Sequence, residues 1–319
     1  MGEIKEVTES EKPTVRKSEA LALLPLSIAR SSLFSVAPKG PMSQHRVIAT
    51  AKKGVNATIT YTGAHLSMEH FRLWQALLFI AEQRGQLGGD EFVVSLTDVL
   101  HHMGKDYTGK RLKKKIGNML TELYGAVVTV ISDRVRYQNE KLIDVGDLDL
   151  ETRLLTVRFG ERIASRLLDR EILRNDIERS REFGRHYLAI WLHGFISSQA
   201  SRSDKKSTKH TFSVDELRRL CGTQVKERRH FCQDLERALD KLKVSSETCR
   251  PLVSGWEWDN KRAKEKVVIE KVHTLVKLLE ESPEVARERD QVEQGKSRPA
   301  KPRFKTQGEI NSPQGGLVL

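Results

Sequence analysis

The chain has 319 residues and a formal net charge of +12, from 55 Lys and Arg against 43 Asp and Glu, with 38% hydrophobic and 31% charged residues. That length accommodates two domains, each able to bury a core of its own, and the balance of apolar and charged residues excludes a wholly disordered chain. Apolar runs such as residues 20–28 and 77–81 fall well short of the roughly 20 residues a membrane-spanning helix needs, and the surplus of cations points to a polyanionic partner.

Residues 1–20 are polar and charged, which predicts a disordered tail. They lack the basic-then-apolar pattern of a secretory signal, so a cytoplasmic protein is expected. Residues 21–54 form an N-terminal segment that carries Ser32, Leu33 and Phe34. From residue 55 helical spacing sets in: Ser67 suits an N-cap, and Phe71, Trp74, Leu78 and Phe79 share one face. An extended stretch follows at 92–94, then a helix capped by Ser95 and ended at Met103-Gly104. A third helix carries the stripe Leu112, Ile116, Met119, Leu120 and Leu123. Beyond it the period shifts toward two at 126–131 and 150–159, the pattern of β-hairpins. Residues 163–183, with many Arg, Glu and Asp and an intermittent apolar stripe, predict a connecting helix.

The same plan then recurs. Tyr187, Leu188, Trp191, Leu192, Phe195 and Ile196 repeat the first helix, and Trp191 lies 117 residues beyond Trp74. Val94-Ser95-Leu96-Thr97-Asp98-Val99 aligns with Phe212-Ser213-Val214-Asp215-Glu216-Leu217, and both helices run into glycine, at Gly104 and Gly222, an offset of 118. Phe231, Leu235, Ala238, Leu239 and Leu242 repeat the third helix at an offset of 119. Period-two stretches at 252–258 and 267–272 close the second copy. Helix, strand, helix, helix and hairpin is the order of a winged helix-turn-helix, whose third helix enters the major groove. The expected fold is therefore α+β and mostly helical: two tandem winged-helix domains at 55–160 and 161–275, followed by a disordered basic tail at 276–319.

Charge distribution favours DNA over a generic α+β repeat. Residues 105–115 hold six basic side chains against the single Asp106. Rotating about 100° per residue from the apolar stripe places Lys110, Lys114, Asn118 and Thr121 on the opposite face of the first third helix, with Arg111 on its flank. The corresponding face of the second copy carries Lys226, Arg229, Gln233 and Arg237. Lys110 pairs with Arg229, Lys114 with Gln233 and Asn118 with Arg237. Both faces thus mix phosphate-seeking cations with side chains suited to base edges.

Other chemistry is weakly represented. Asp144, Asp147, Asp149 and Glu151 could serve a metal-dependent nuclease, but Asp147, Asp149, Glu151 and Arg153 alternate with Leu148, Leu150 and Thr152 as on a solvated strand face. Cys221, Cys232 and Cys249 lack a CxxC spacing, which predicts reduced thiols and no metal. His101 and His102 have no ligand partners at suitable spacing. There is no GxxxxGK[ST] phosphate loop, and Tyr61, Tyr107, Tyr124, Tyr137 and Tyr187 lack His partners for a nicking enzyme. No cofactor and no catalysis are expected. A transcriptional repressor with the same fold remains the competing reading.

Several stretches resemble the TrfA family of plasmid replication initiators: Leu24-Pro25, Ala29-Arg30-Ser31-Ser32-Leu33-Phe34, Ile59-Thr60-Tyr61-Thr62-Gly63, Ser132-Asp133-Arg134 and Arg219-Leu220-Cys221-Gly222. The likeness spans about residues 21–275. It implies binding to direct repeats (iterons) at a plasmid origin, promotion of origin opening, plasmid copy control, and recruitment of host DnaA, replicative helicase and polymerase sliding clamp. A monomer-dimer equilibrium, with the monomer active, is also implied. Ser32, Leu33 and Phe34 match the last three positions of the clamp-binding pentapeptide Gln-Leu-Ser/Asp-Leu-Phe, without its leading Gln. Clamp binding by these residues and packing of Leu33 and Phe34 on the first domain are both open at this point.

Overall fold

A computed structural model describes residues 21–40, 43–48, 58–87, 90–105, 109–131, 136–161, 163, 172–199, 207–244, 251–260 and 262–272. All of them belong to one compact unit, Met1–His273; the tails expected at 1–20 and 276–319 lie outside the described residues. The apolar stripes dictate the first module. Helix α2 (Met68–Gln83) is buried along nearly its whole length, with Trp74 wholly enclosed. Strand β4 (Phe92–Ser95) leads into α3 (Leu96–His102), where the Ser95 hydroxyl accepts the Asp98 N–H at 3.0 Å. Helix α4 (Lys110–Tyr124) buries Ile116, Met119, Leu120 and Leu123, as its stripe predicts. Strands β7 (Ile143–Leu148) and β8 (Leu154–Phe159) complete a three-stranded antiparallel sheet in the order β4-β8-β7, with Phe92 opposite Val157.

The second module repeats each part. Helix α6 (Tyr187–Ser197), strand β10 (Ser207–Ser213), helices α7 (Val214–Cys221) and α8 (Arg228–Lys243), and strands β11 (Val253–Trp258) and β12 (Lys266–Val272) follow in the same sequence. Their sheet runs β10-β12-β11, the counterpart of β4-β8-β7. Ser213 stands at the N-cap of α7 in extended backbone but makes no side-chain cap bond. Gly104 and Gly222 end their helices at φ +68° and +64°, a left-handed conformation that a Cβ disfavours. At Gly222 a Cβ would also come within 2.8 Å of Ser35 Oγ.

Three expectations need correction. The stretch at 126–131 does not pair within the first module's hairpin. It forms β5 (Val127–Ile131), which pairs with β6 (Arg136–Lys141) and with β3 (Thr58–Gly63), the neighbour of β2 (Ser43–Ile48), in a separate four-stranded sheet. Its buried Val128 therefore serves another layer of the core. Residues 163–183 are not one helix. Strand β9 (Ile172–Asp176) pairs with β1 (Leu21–Pro25), and α5 (Ile177–Glu182) starts only where the Asp176 carboxylate accepts the Arg179 N–H at 3.0 Å. The acidic run does not lie on one strand either. Strand β7 ends at Leu148, and the Asp149 carboxylate then accepts the N–H groups of Glu151 (2.8 Å) and Thr152 (3.2 Å). This side-chain turn competes with the ladder and places Asp149, Glu151 and Arg153 in the hairpin loop.

Residues 21–40, which include α1 (Leu26–Ala29), cross both modules as a strap. The Ser35 N–H donates to Leu66 O (2.9 Å) and the Val36 N–H to Cys221 O (2.9 Å), so consecutive amides tie one module to the other. Leu33 is 0% and Phe34 3% exposed; the Phe34 ring meets Phe71 edge-on at 5.4 Å and lies 5.7 Å from Trp74. The Arg30 guanidinium reaches Ser198 O and Oγ, and the Lys271 ammonium donates to Ser197 O (2.9 Å) and Gln199 O (2.6 Å). Both cations thereby satisfy the orphan carbonyls at the end of α6. Of the two readings of Ser32, Leu33 and Phe34, this placement favours packing over clamp binding: Leu33 and Phe34 lie in the core, where burying two large apolar side chains is worth several kcal/mol.

Candidate nucleic-acid interface

Helices α4 and α8 each bury one stripe and expose the other. On α4, Lys110, Arg111, Lys114, Asn118 and Thr121 are exposed. The first four have no side-chain hydrogen bond or ion pair among the described residues, whereas the Thr121 hydroxyl is spent on Gly117 O at 3.1 Å. Lys115 leans away to Glu69, 3.1 Å distant. On the second module Arg229, Gln233 and Arg237 are exposed on α8, and Lys226 in the turn before it. Arg237 is clipped to Asp234 at 2.5 Å and to Gln233 O at 3.4 Å, so its guanidinium is partly committed. The Lys226 carbonyl accepts Arg218 at 2.8 Å while its side chain stays in solvent. Each nominated set thus gathers on the exposed face of one module, and the two sets differ in how free their side chains are.

The second hairpin is locked to its helix through indole N–H groups. Trp256 donates to Asp240 and Trp258 to Glu236, both at 2.9 Å, and Lys264 bridges to Glu236 at 2.7 Å. Arg228 adds a bond to Lys264 O at 3.0 Å. These contacts fix the end of the hairpin, which exposes Arg262 and Lys266 together with Asp259 and Glu265, against the start of α8.

Between the modules lies a polar junction that sequence reasoning missed. The Glu69 carboxylate, 6% exposed, accepts the Tyr187 hydroxyl at 2.7 Å and faces Lys115 at 3.1 Å and Lys105 at 3.5 Å. Burial alone would raise its pKa, but the Tyr187 hydrogen bond and the two ammonium groups outweigh burial and hold it down at about 2. Burial and the same bond push the Tyr187 phenol up to about 12. The repeat gives no signal for it: at the first helices' offset of 117, Glu69 corresponds to His186 and Tyr187 to His70. A second buried tie runs from the Arg72 guanidinium to Ser180 O at 2.5 Å.

Ser67, His70 and Glu122 line up as hydroxyl, imidazole and carboxylate, with Ser67 Oγ 3.0 Å from Nδ1 and Glu122 2.5 Å from Nε2. The Ser67 backbone N–H also donates to Nδ1, at 3.1 Å, which makes that nitrogen an acceptor and leaves the ring proton facing the carboxylate. The arrangement is a capping box for α2, and neither described cavity reaches Ser67. Of the other candidates, the His102 ring packs on Phe79 at 4.8 Å. Cys221 and Cys232 are buried free thiols, and Cys249 lies outside the described residues. Among the described residues no helix is long and apolar enough to cross a membrane.

No family model matches the sequence, and a search of the curated proteins finds no match. Solved structures are informative. The chain is similar to the crystal structure of a selenomethionine derivative of domains 2 and 3 of RctB, at a TM-score of 0.51 and 15% identity over 78% of this chain and 98% of that one. A second crystal structure of RctB domains 2-3 gives a TM-score of 0.49 at 14% identity, with the same coverage. At such identity the first likeness is one of fold: an α+β chain of helices and small antiparallel sheets, extending over nearly all of the two RctB domains.

Proposed function

We propose that this chain is a replication initiator that binds direct repeats in double-stranded DNA through two winged-helix modules. The observation that carries the reading is the duplicated solvent-facing surface of α4 and α8, cationic and amide-bearing at corresponding positions. The fold agrees with it. RctB, whose domains 2 and 3 the fold resembles, is a replication initiator of Vibrio chromosome II. Lys110, Arg111, Lys114, Lys226 and Arg229 would neutralise phosphates and release counterions. Asn118 and Gln233 would read adenine edges and Arg237 guanine. Two modules on one chain suit a repeat that spans about two helical turns of duplex. Strain stored in the bound duplex would then favour opening nearby, so the protein would act through binding energy rather than catalysis. The TrfA-like stretches of the sequence support an iteron-binding initiator with host DnaA, helicase and clamp as partners. The test is a titration of purified protein against duplexes carrying direct repeats from beside its coding gene and against scrambled duplexes. Tight, repeat-dependent binding with a footprint on each repeat is expected. Binding confined to a single promoter operator would favour the repressor reading instead.

A further inference from the structure

The modules differ where their first helices begin. Helix α2 is closed by its capping box, and Glu69 in its first turn binds two lysines. Helix α6 has His186 at its N-cap, and that side chain makes no cap bond. At the first helices' offset of 117, His186 stands where Glu69 does in the first copy, and Tyr187 beside it turns its hydroxyl away, onto Glu69 itself. The space left beside α6 is a cavity of about 240 Å³. Val36, Leu188 and Phe231 form its apolar wall; Arg185, Asp234 and Arg237 bring charge to it. In the first copy position 234 corresponds to Lys115, the partner of Glu69, so the second copy lacks both halves of that ion pair.

Charge counting narrows the ligand. Asp234 neutralises Arg237, 2.5 Å away, while Arg185 is exposed and has no ion-pair partner among the described residues. The helix start lacks a side-chain cap, though the Tyr187 and Ala189 N–H groups donate to Arg185 O and His186 O (both 2.9 Å), and its dipole adds up to roughly half a positive charge. Burial, followed by the fields of Lys241 and Arg237, holds the His186 imidazole below its ordinary pKa, which agrees with a positive site. Arg185 and the helix end together bring about one and a half positive charges, a balance that suits a phosphate group. Arg237 also belongs to the exposed face of α8, so the cavity adjoins the surface assigned to the duplex. We infer that the cavity between the start of α6 and α8 seats one backbone phosphodiester of the docked DNA, gripped by Arg185. The inference rests on the DNA-binding reading above.

The test compares wild-type protein with Arg185→Gln, an exposed substitution expected to leave the melting temperature unchanged. Both are titrated against a random-sequence duplex at several salt concentrations, and then with adenosine monophosphate alone. Arg185→Gln should weaken duplex binding several-fold and lower the slope of log K against log salt by about one unit. A duplex of the same sequence with methylphosphonate at every linkage, and so without backbone charge, should abolish the difference between the two proteins. Normal wild-type binding with an unchanged slope in the variant would sink the site and spare the DNA reading. Failure of the wild type to bind any duplex would sink both. Arg185-dependent capture of the mononucleotide, with duplex affinity unaffected, would reassign the cavity to a free nucleotide and overturn the inference.

Discussion

The two modules share a fold and differ in charge. Their apolar positions correspond helix by helix, yet the first hairpin exposes Asp147, Asp149 and Glu151 beside Arg153, where the second exposes Arg262 and Lys266 beside Asp259 and Glu265. The first module buries a carboxylate at the start of its leading helix; the second leaves an open, cation-lined cavity there. The exposed side chains of α4 are largely free, whereas Arg237 on α8 is paired. Packing constrains the buried positions in both copies alike, but nothing in packing constrains the exposed ones. Repetition therefore preserves the scaffold while the surfaces specialise, with the second hairpin better suited than the first to lie along phosphates.

The strongest way to break this comparison is to remove what the modules share. Phe34 is buried against Phe71 and Trp74, so Phe34→Ala should cost about 3–5 kcal/mol, read by chemical denaturation. Because the strap is bonded to both modules, the loss should appear in a single cooperative transition. Unchanged stability together with loss of clamp capture would restore the clamp reading of Leu33 and Phe34.

Next in size is the junction. Glu69→Gln leaves Lys105 and Lys115 facing an uncharged group and should cost about 2–4 kcal/mol. It also sharpens the pH dependence. The folded pKa of Glu69 is about 2, below its ordinary 4.5, so its contribution is fully present above pH 4.5 and is lost as the pH falls toward 2. His193, wholly buried, has its pKa pushed down from 6.5 to about 3, by burial first and then by the field of Arg179. Its unfolded state takes up a proton first, so stability also declines as the pH drops from 6.5 toward 3. Denaturation midpoints followed from pH 7 to pH 3 should fall throughout, and Glu69→Gln should flatten only the lower part of the curve.

Much of the scaffold was legible because periodicity reports burial directly. The stripes of α2, α4, α6 and α8, the glycine stops, and the strand before each second helix are local signals. What was not legible depends on distant partners. Strand β9 exists because β1 lies beside it, and β5 leaves the first hairpin because β3 offers a partner. The Leu33-Phe34 pair has the same composition whether exposed or buried, and only the aromatic groove of α2 decides between them. The exposed faces of α4 and α8 follow from the stripes, but the Asp234 clip on Arg237 and the cavity beside α6 involve neighbours that no periodicity reveals.

Smaller effects separate reading from gripping. Asn118→Ala, Gln233→Ala and Arg237→Ala should each cost about 1–3 kcal/mol on cognate repeats and little on random DNA. Arg237→Ala should fall at the low end, since its Asp234 partner must first be displaced. Lys114→Ala and Arg229→Ala should weaken binding to every sequence alike, each lowering the salt slope by about one unit.

In the proposed DNA complex both exposed helix faces grip one duplex. This is tested most directly by titrating the wild type, Lys114→Ala, Arg229→Ala and the double variant against a direct-repeat duplex across a salt series. Each single variant should lower the slope of log K against log salt by about one unit, and the double variant by about two. A slope that responds to substitutions in only one helix, or in neither, would contradict that arrangement.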